Sequence, residues 1–141
     1  MNVQSVMTPD PACCTAATPL RDVARMMLDN DCGQIPVVDE SQRPIGVVTD
    51  RDITVRIVAE GRDSNAATAA DAMTGPARTV RTDTSLADCV CLMEADQIRR
   101  VPVVDSEGRL AGIVAIADLA LAGKQESTAE VVKEVSEPLR H

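Results

Sequence analysis

The sequence predicts an α+β fold: two copies of one β-α-β-β-α unit, packed sheet to sheet with pseudo-two-fold symmetry, plus a short C-terminal helix. Three observations predict it. A shift of 66 residues lays 3–53 over 69–119 with no gap. Positions 7, 8, 18, 20, 22, 27, 36–39, 43, 46, 48 and 52 are then identical to their counterparts, 14 pairs in 51, where average composition gives about 3–4. Each copy carries an apolar pattern at helical spacing: Leu20, Val23, Ala24, Met27 and Leu28, then Leu86, Cys89, Val90 and Met93. Each pattern is followed by two short apolar runs around a polar turn, the mark of a hairpin. One copy is too small to bury its own sheet face, and two copies are too few for a solenoid, so the two are expected to pack as a pair.

Taken in order, each copy opens with an extended piece, 12–15 or 78–82. Thr18 and Thr84 suit helix N-caps, and Asp22 and Asp88 suit the first turns. Ile35-Pro-Val-Val38 and Val101-Pro-Val-Val104 are the first hairpin strands. Ile45-Gly-Val-Val48 and Ala111-Gly-Ile-Val114 are the second. Asp39 and Asp105 stand at the turns, where Asp is locally favoured, and are turn residues rather than an acid pair. A closing helix runs from about Asp50 to Glu60 and stops at Gly61. The expected division is repeat 1 over 1–61, an Ala-, Ser- and Asn-rich linker over 62–70, repeat 2 over 71–123, and a helical tail over 124–141. In the tail, Ser127-Thr-Ala-Glu130 has the form of a capping box, ahead of an apolar stripe of Val131, Val132, Val135 and Leu139.

Composition narrows the function. The chain has 141 residues, a formal net charge of −8, a pI of about 4.5 and no Phe, Tyr or Trp. The charge opposes phosphate backbones and anionic membranes, and stacking on aromatic platforms is excluded. No apolar run is long enough to span a bilayer, and residues 1–4 lack signal-peptide character, so a cytoplasmic location is the default expectation. Met7, Met26, Met27, Met73 and Met93 read as core filler. The five cysteines, Cys13, Cys14, Cys32, Cys89 and Cys91, form no CxxC, and His141 is the lone histidine. No metal site is expected, and reduced, mostly buried thiols are. There is no Walker loop, no G-x-G-x-x-G and no nucleophile–base pair, so no enzyme and no catalytic cofactor is expected.

Two motifs recur in register: x-Pro-Val-Val-Asp in both copies, and Gly46-Val-Val-Thr-Asp-Arg-Asp52, which reads Gly112-Ile-Val-Ala-Ile-Ala-Asp118 in the second. With them the chain resembles the tandem CBS domain pair, or Bateman module, over roughly residues 3–121, and looks like a stand-alone bacterial CBS-pair protein. The resemblance implies a regulatory module that binds adenosine-containing ligands such as AMP, ATP, NAD or S-adenosylmethionine, AMP and ATP foremost. It also implies a homodimer, with an effector protein as a further partner.

The residues carry their own chemical logic. Thr49 stands where a strand passes into a helix, so its hydroxyl and the first-turn N–H groups form a candidate phosphate site. Asp52, one turn on, can accept from both ribose hydroxyls. A helix cap needs the same spacing, and both readings stand. Ala115 replaces the threonine in copy 2, while Asp118 is kept. Arg99 and Arg100 stand before the second Pro-Val-Val strand, where copy 1 has Gly33 and Gln34. They suit two-point phosphate binding or a weak surface ion pair. By resemblance, one cleft would combine Asp118 and Arg99 or Arg100 with Thr18, Cys32 and Gly33. The other would combine Thr49, Arg51 and Asp52 with Thr84, Ile98 and Arg99. The alternative is a ligand-free structural or redox-responsive dimerisation module using Cys13 and Cys14.

Overall fold

A computed structural model describes residues 1–126. The element order is β1 (Thr8–Pro9), α1 (Leu20–Asn30), β2 (Gln34–Val38), β3 (Pro44–Thr49), α2 (Asp50–Ile53), α3 (Ala69–Ala72), β4 (Val80–Arg81), α4 (Leu86–Asp96), β5 (Arg100–Val104), β6 (Leu110–Ala115) and α5 (Ile116–Glu126). A 3-10 turn, Val3–Ser5, precedes β1, and a π-helical stretch, Thr54–Val58, prolongs α2. The expected capping box at Ser127 and the stripe from Val131 to Leu139 lie outside the described residues.

The chain divides into two compact units, and they do not follow the repeat boundaries. One is Ala12–Arg78. The other joins Met1–Pro11 to the chain from Thr79 onward.

Within Ala12–Arg78, β2 and β3 pair antiparallel with a bulge at Val37/Val38. Cys14 bridges Val37 in parallel, and Thr74 bridges Val47 antiparallel. The helix α1 buries Leu20, Val23 and Met27 against Ile35, Val37, Val48 and Ile57. Leu28, assigned by periodicity to the same stripe, is 69% exposed, and Ala24 is exposed as well. They sit at the solvent edge of a stripe that three residues already fill. Residues 62–70, expected as a linker, pack onto this unit. Ala67 and Ala69 are core residues. Leu20 N–H donates to the Ala67 carbonyl at 2.9 Å, and Ala69 N–H donates to Thr18 at 2.8 Å.

The other unit carries a four-stranded sheet in the order β1-β6-β5-β4. Its bulge, at Val103/Val104, stands 66 residues after the first. Val3, Leu86, Cys89, Val90, Met93, Val101, Val103, Val114 and Leu119 form its core. Thr8 pairs with Ile113 as Thr74 pairs with Val47. The leading segment of each sequence repeat therefore adds to the hairpin of the other repeat. Gly46 and Gly112 make this approach possible: a Cβ at Gly46 would lie 2.7 Å from the Thr74 carbonyl oxygen, and one at Gly112 2.8 Å from that of Thr8.

The N-caps correct the expectation by one residue. Pro19 caps α1 without a side-chain bond, and Ser85 caps α4, its Oγ accepting from Asp88 N–H at 3.1 Å. The hydroxyls of Thr18 and Thr84 instead accept from the N–H groups of Thr15 and Arg81, each at 3.0 Å, and close the turn before the helix. Asp39 and Asp105 do serve their turns. Each accepts from two backbone N–H groups, Ser41 and Arg43 or Glu107 and Arg109.

Candidate functional site

Each unit has a junction where the second hairpin strand runs into a helix. In Ala12–Arg78, Thr49 ends β3 opposite Gln34 and caps α2. Its Oγ1 accepts from Asp52 N–H at 3.0 Å, while Asp52 Oδ2 accepts from Thr49 N–H at 3.0 Å. This reciprocal capping box realises the cap role that the spacing allowed. The other first-turn donors are also engaged. Asp50 N–H donates to the Gly33 carbonyl at 3.0 Å, and Arg51 N–H donates to Asp50 Oδ1 at 2.8 Å. The expectation of free N–H groups beside Thr49 is thus corrected, because side chains of the motif itself satisfy them.

Asp52 has further partners. The Thr74 hydroxyl lies 3.4 Å from Oδ1, and the Arg56 guanidinium lies 3.9 Å from it. Arg56 is anchored in turn, donating to the carbonyls of Ala72 and Met73 at 2.8 Å each. A Cβ on Gly33 would lie 3.0 Å from Asp50 Oδ2, so the small residue leaves room for that carboxylate.

The second junction keeps only half of this network. Asp118 Oδ2 accepts from Ala115 N–H at 2.9 Å, and Ile116 N–H donates to the Arg99 carbonyl at 2.9 Å. Ala115 has no hydroxyl to return the bond. Ala122 stands 66 residues after Arg56, and no cation reaches Asp118 among the described residues. Arg99 is exposed and Arg100 half-buried, and neither makes an ion pair among the described residues. The buried Nε of Arg100 has no partner, and neither has the buried Oε1 of its counterpart Gln34.

Of the other expected site residues, Thr18, Cys32, Gly33 and Arg51 belong with Thr49 and Asp52 in Ala12–Arg78. Thr84 and Ile98 belong with Arg99, Arg100 and Asp118 in the other unit. Cys32 and Ile98 occupy equivalent places after α1 and α4. Their N–H groups donate to Met27 and Met93 at 3.0 Å, and both side chains pack partly buried against their own core. Sequence reasoning missed Arg56 and Thr74. Arg56 stands four residues after Asp52, a spacing that places both on one helix face. Thr74 comes from 22 residues away and carried no local signal.

Three of the cysteines, Cys13, Cys14 and Cys89, sit in surroundings that disfavour the thiolate. Burial pushes the Cys14 thiol up to about 11, with Cys13 beside it adding to the shift, and burial alone pushes Cys89 to about 11. Burial raises Cys13 too. Among the described residues no group of three His, Cys, Asp or Glu side chains could hold a metal ion, and no helix is long and apolar enough to cross a membrane.

Hypoxic response protein 1 of Mycobacterium tuberculosis is 33% identical over 136 residues, which cover 96% of this chain and 94% of that protein. The CBS domain-containing protein YhcV of Bacillus subtilis is 36% identical over 85% of this chain and 84% of its own. Among solved structures, Hypoxic Response Protein I with two coordinated zinc ions superposes with a TM-score of 0.80 at 33% identity, covering 86% of this chain and 98% of that one. CBSX2 of Arabidopsis thaliana in complex with AMP gives 0.78 at 27% identity, covering 89% and 98%. The CBS domain model matches residues 3–59 and 69–124. The chain belongs to the CBS domain family and carries that domain twice.

Proposed function

We propose that this chain is a regulatory module that binds an adenosine-containing ligand, AMP or ATP foremost, and performs no catalysis. The observation that carries the reading is a carboxylate at the strand–helix junction of both repeats, joined in the second by two arginines that have no ion-pair partner among the described residues. A carboxylate can accept from both ribose hydroxyls, and paired guanidinium groups suit phosphate oxygens. The AMP complex of CBSX2, a relative at 27% identity, supports the ligand class. Thr18, Cys32, Gly33, Thr49, Arg51, Thr84 and Ile98 complete the proposed set, with Cys32 and Ile98 offering apolar contact to adenine. Ligand shifts the populations of two arrangements of the module by its differential affinity for them. The redox alternative is disfavoured, since Cys14 has its thiol pushed to about 11.

The composition supplies the test. A chain without Trp or Tyr hardly absorbs near 280 nm. A purified sample is expected to show a 260 nm band that disappears on nucleotide removal. Calorimetry on the stripped protein is expected to register AMP binding. No binding of AMP, ATP, NAD or S-adenosylmethionine would overturn the proposal.

A further inference from the structure

We infer that the segment Met1–Pro11 is exchanged between two copies of this chain, each copy lending its β1 and Val3 to the sheet and core of the other. This goes beyond the ligand reading and does not depend on it.

The unit that holds Met1–Pro11 is split in sequence: the rest of it begins at Thr79, and 12–78 form the other unit. The segment's partners lie beyond that gap. Val3 is fully buried in the core that contains Leu86, Val90 and Val114. Its N–H donates to the Thr84 carbonyl at 2.9 Å, and Gln4 N–H donates to that of Thr82 at 3.3 Å. Asn2 bridges Ser85, and Thr8 pairs with Ile113. A second copy offers each of these partners in the same geometry. The contacts of closed and exchanged forms therefore cancel, and the hinge decides between them.

That hinge is Pro9-Asp10-Pro11. Asp10 has φ +48, a left-handed backbone that costs any residue with a Cβ. Pro11 adds to the cost, because a residue before proline is pushed toward extended backbone. Docking the segment on its own chain requires this bend. Exchange lets Asp10 extend, once in each copy. The equivalent segment of the other repeat, Thr68–Thr74, lies inside the continuous unit Ala12–Arg78 and is tied there by side chains. Thr68 and Asp71 form a capping box, Arg62 meets Asp71 at 3.3 Å, and Arg56 donates to the carbonyls of Ala72 and Met73 at 2.8 Å each. In Met1–Pro11, Ser5 stands where that twin has Asp71, and the turn Val3–Ser5 has no side-chain cap.

Magnitudes set the scale. Releasing left-handed backbone shifts an equilibrium about tenfold per hinge, about a hundredfold for the two hinges of a dimer. A segment tethered to its own site has an effective concentration of about 1 mM, so exchange is expected from about 10 µM upward.

Light scattering on the full chain from about 1 to about 300 µM is expected to show a monomer–dimer equilibrium in that range. Asp10→Gly, which makes the bend without steric cost, is expected to weaken the dimer about 100-fold. The double variant Asn2→Cys/Ser85→Cys identifies which chain supplies the segment, since an antiparallel bridge holds the two Cα atoms within disulfide reach. Oxidised at high concentration, it is expected to run at twice the chain mass on a denaturing gel. Each single variant, which controls for the native thiols, is expected to give little of that product. A double variant linked only within single chains, as much linked dimer from either single variant, a dimer unaffected by Asp10→Gly, or a chain monomeric across the range would each overturn the inference. All of these outcomes leave the ligand reading standing.

Discussion

The two strand–helix junctions share a backbone but differ in what their side chains have left to offer. At Thr49–Asp52 the donors and acceptors answer one another: a reciprocal capping box, a locking arginine and a threonine from a neighbouring strand. At Ala115–Asp118 one of those bonds remains, and the second carboxylate oxygen has no partner among the described residues. A motif that is complete in sequence thus engages more of its own donors and acceptors than its degenerate copy does. Charge differs as well: Asp50 and Arg51 open one helix, and Ile116 and Ala117 open the other, where Ile116 N–H meets the Arg99 carbonyl. Duplication supplied two equal frames, and a few substitutions left their side-chain networks unequal.

This comparison can be broken by exchanging the features that define it. The largest effect is expected where the halves agree. Gly46→Ala and Gly112→Ala each force a methyl to within 3 Å of a carbonyl oxygen, at a cost of about 1–3 kcal/mol. Chemical denaturation should report similar losses for both, and a large difference between them would show that the two strand contacts are not equivalent. Next comes the cap. Thr49→Ala copies the second junction into the first and should cost about 1 kcal/mol. Ala115→Thr should return a smaller gain, and loss of stability on making that variant would show that Ala115 is there for packing.

The turns differ at the residue with positive φ: Gln42 has φ +66 where its counterpart Gly108 has φ +82. Gln42→Gly should stabilise by about 0.5 kcal/mol and Gly108→Gln should destabilise by about 1 kcal/mol, because only glycine enters that region without steric cost. Paired melting curves check the signs. The smallest effect is a pH dependence. Hydrogen bonds from Arg109 N–H, foremost, hold Asp105 below its ordinary value, and Thr68 N–H does the same for Asp71. Since these folded values lie below the unfolded ones, the stabilisation is present above the ordinary carboxylate range and is lost as pH falls through the folded value. Asp105→Asn and Asp71→Asn should each flatten the acid limb of a stability–pH curve, and an unchanged limb would assign acid sensitivity elsewhere.

Much of the fold was legible because repetition reinforces weak signals. The helix patterns at Leu20 and Leu86, the Pro-Val-Val strands and the Asp39 and Asp105 turns are local features, and each occurs twice. The caps were displaced by one residue because a threonine hydroxyl serves a preceding turn as readily as a helix end, and only geometry separates the two. Unit membership was not legible. The pairings of Thr8 with Ile113 and of Thr74 with Val47 join segments distant in sequence, and no periodicity encodes them. At the site, the identities of Thr49, Asp52, Asp118 and the two arginines were readable. That Asp52 is already engaged was not, because it depends on Thr74 arriving from 22 residues away.

The interleaving of the leading segments also bears on how the chain is made. Ala12–Arg78 is a continuous stretch, so its partners have all been synthesised once Arg78 clears the ribosome. The other unit needs Met1–Pro11 to wait for strands β5 and β6, made about a hundred residues after them. The fuller capping network therefore belongs to the unit able to close first during synthesis, and the sparser one to the unit whose two segments are separated by it.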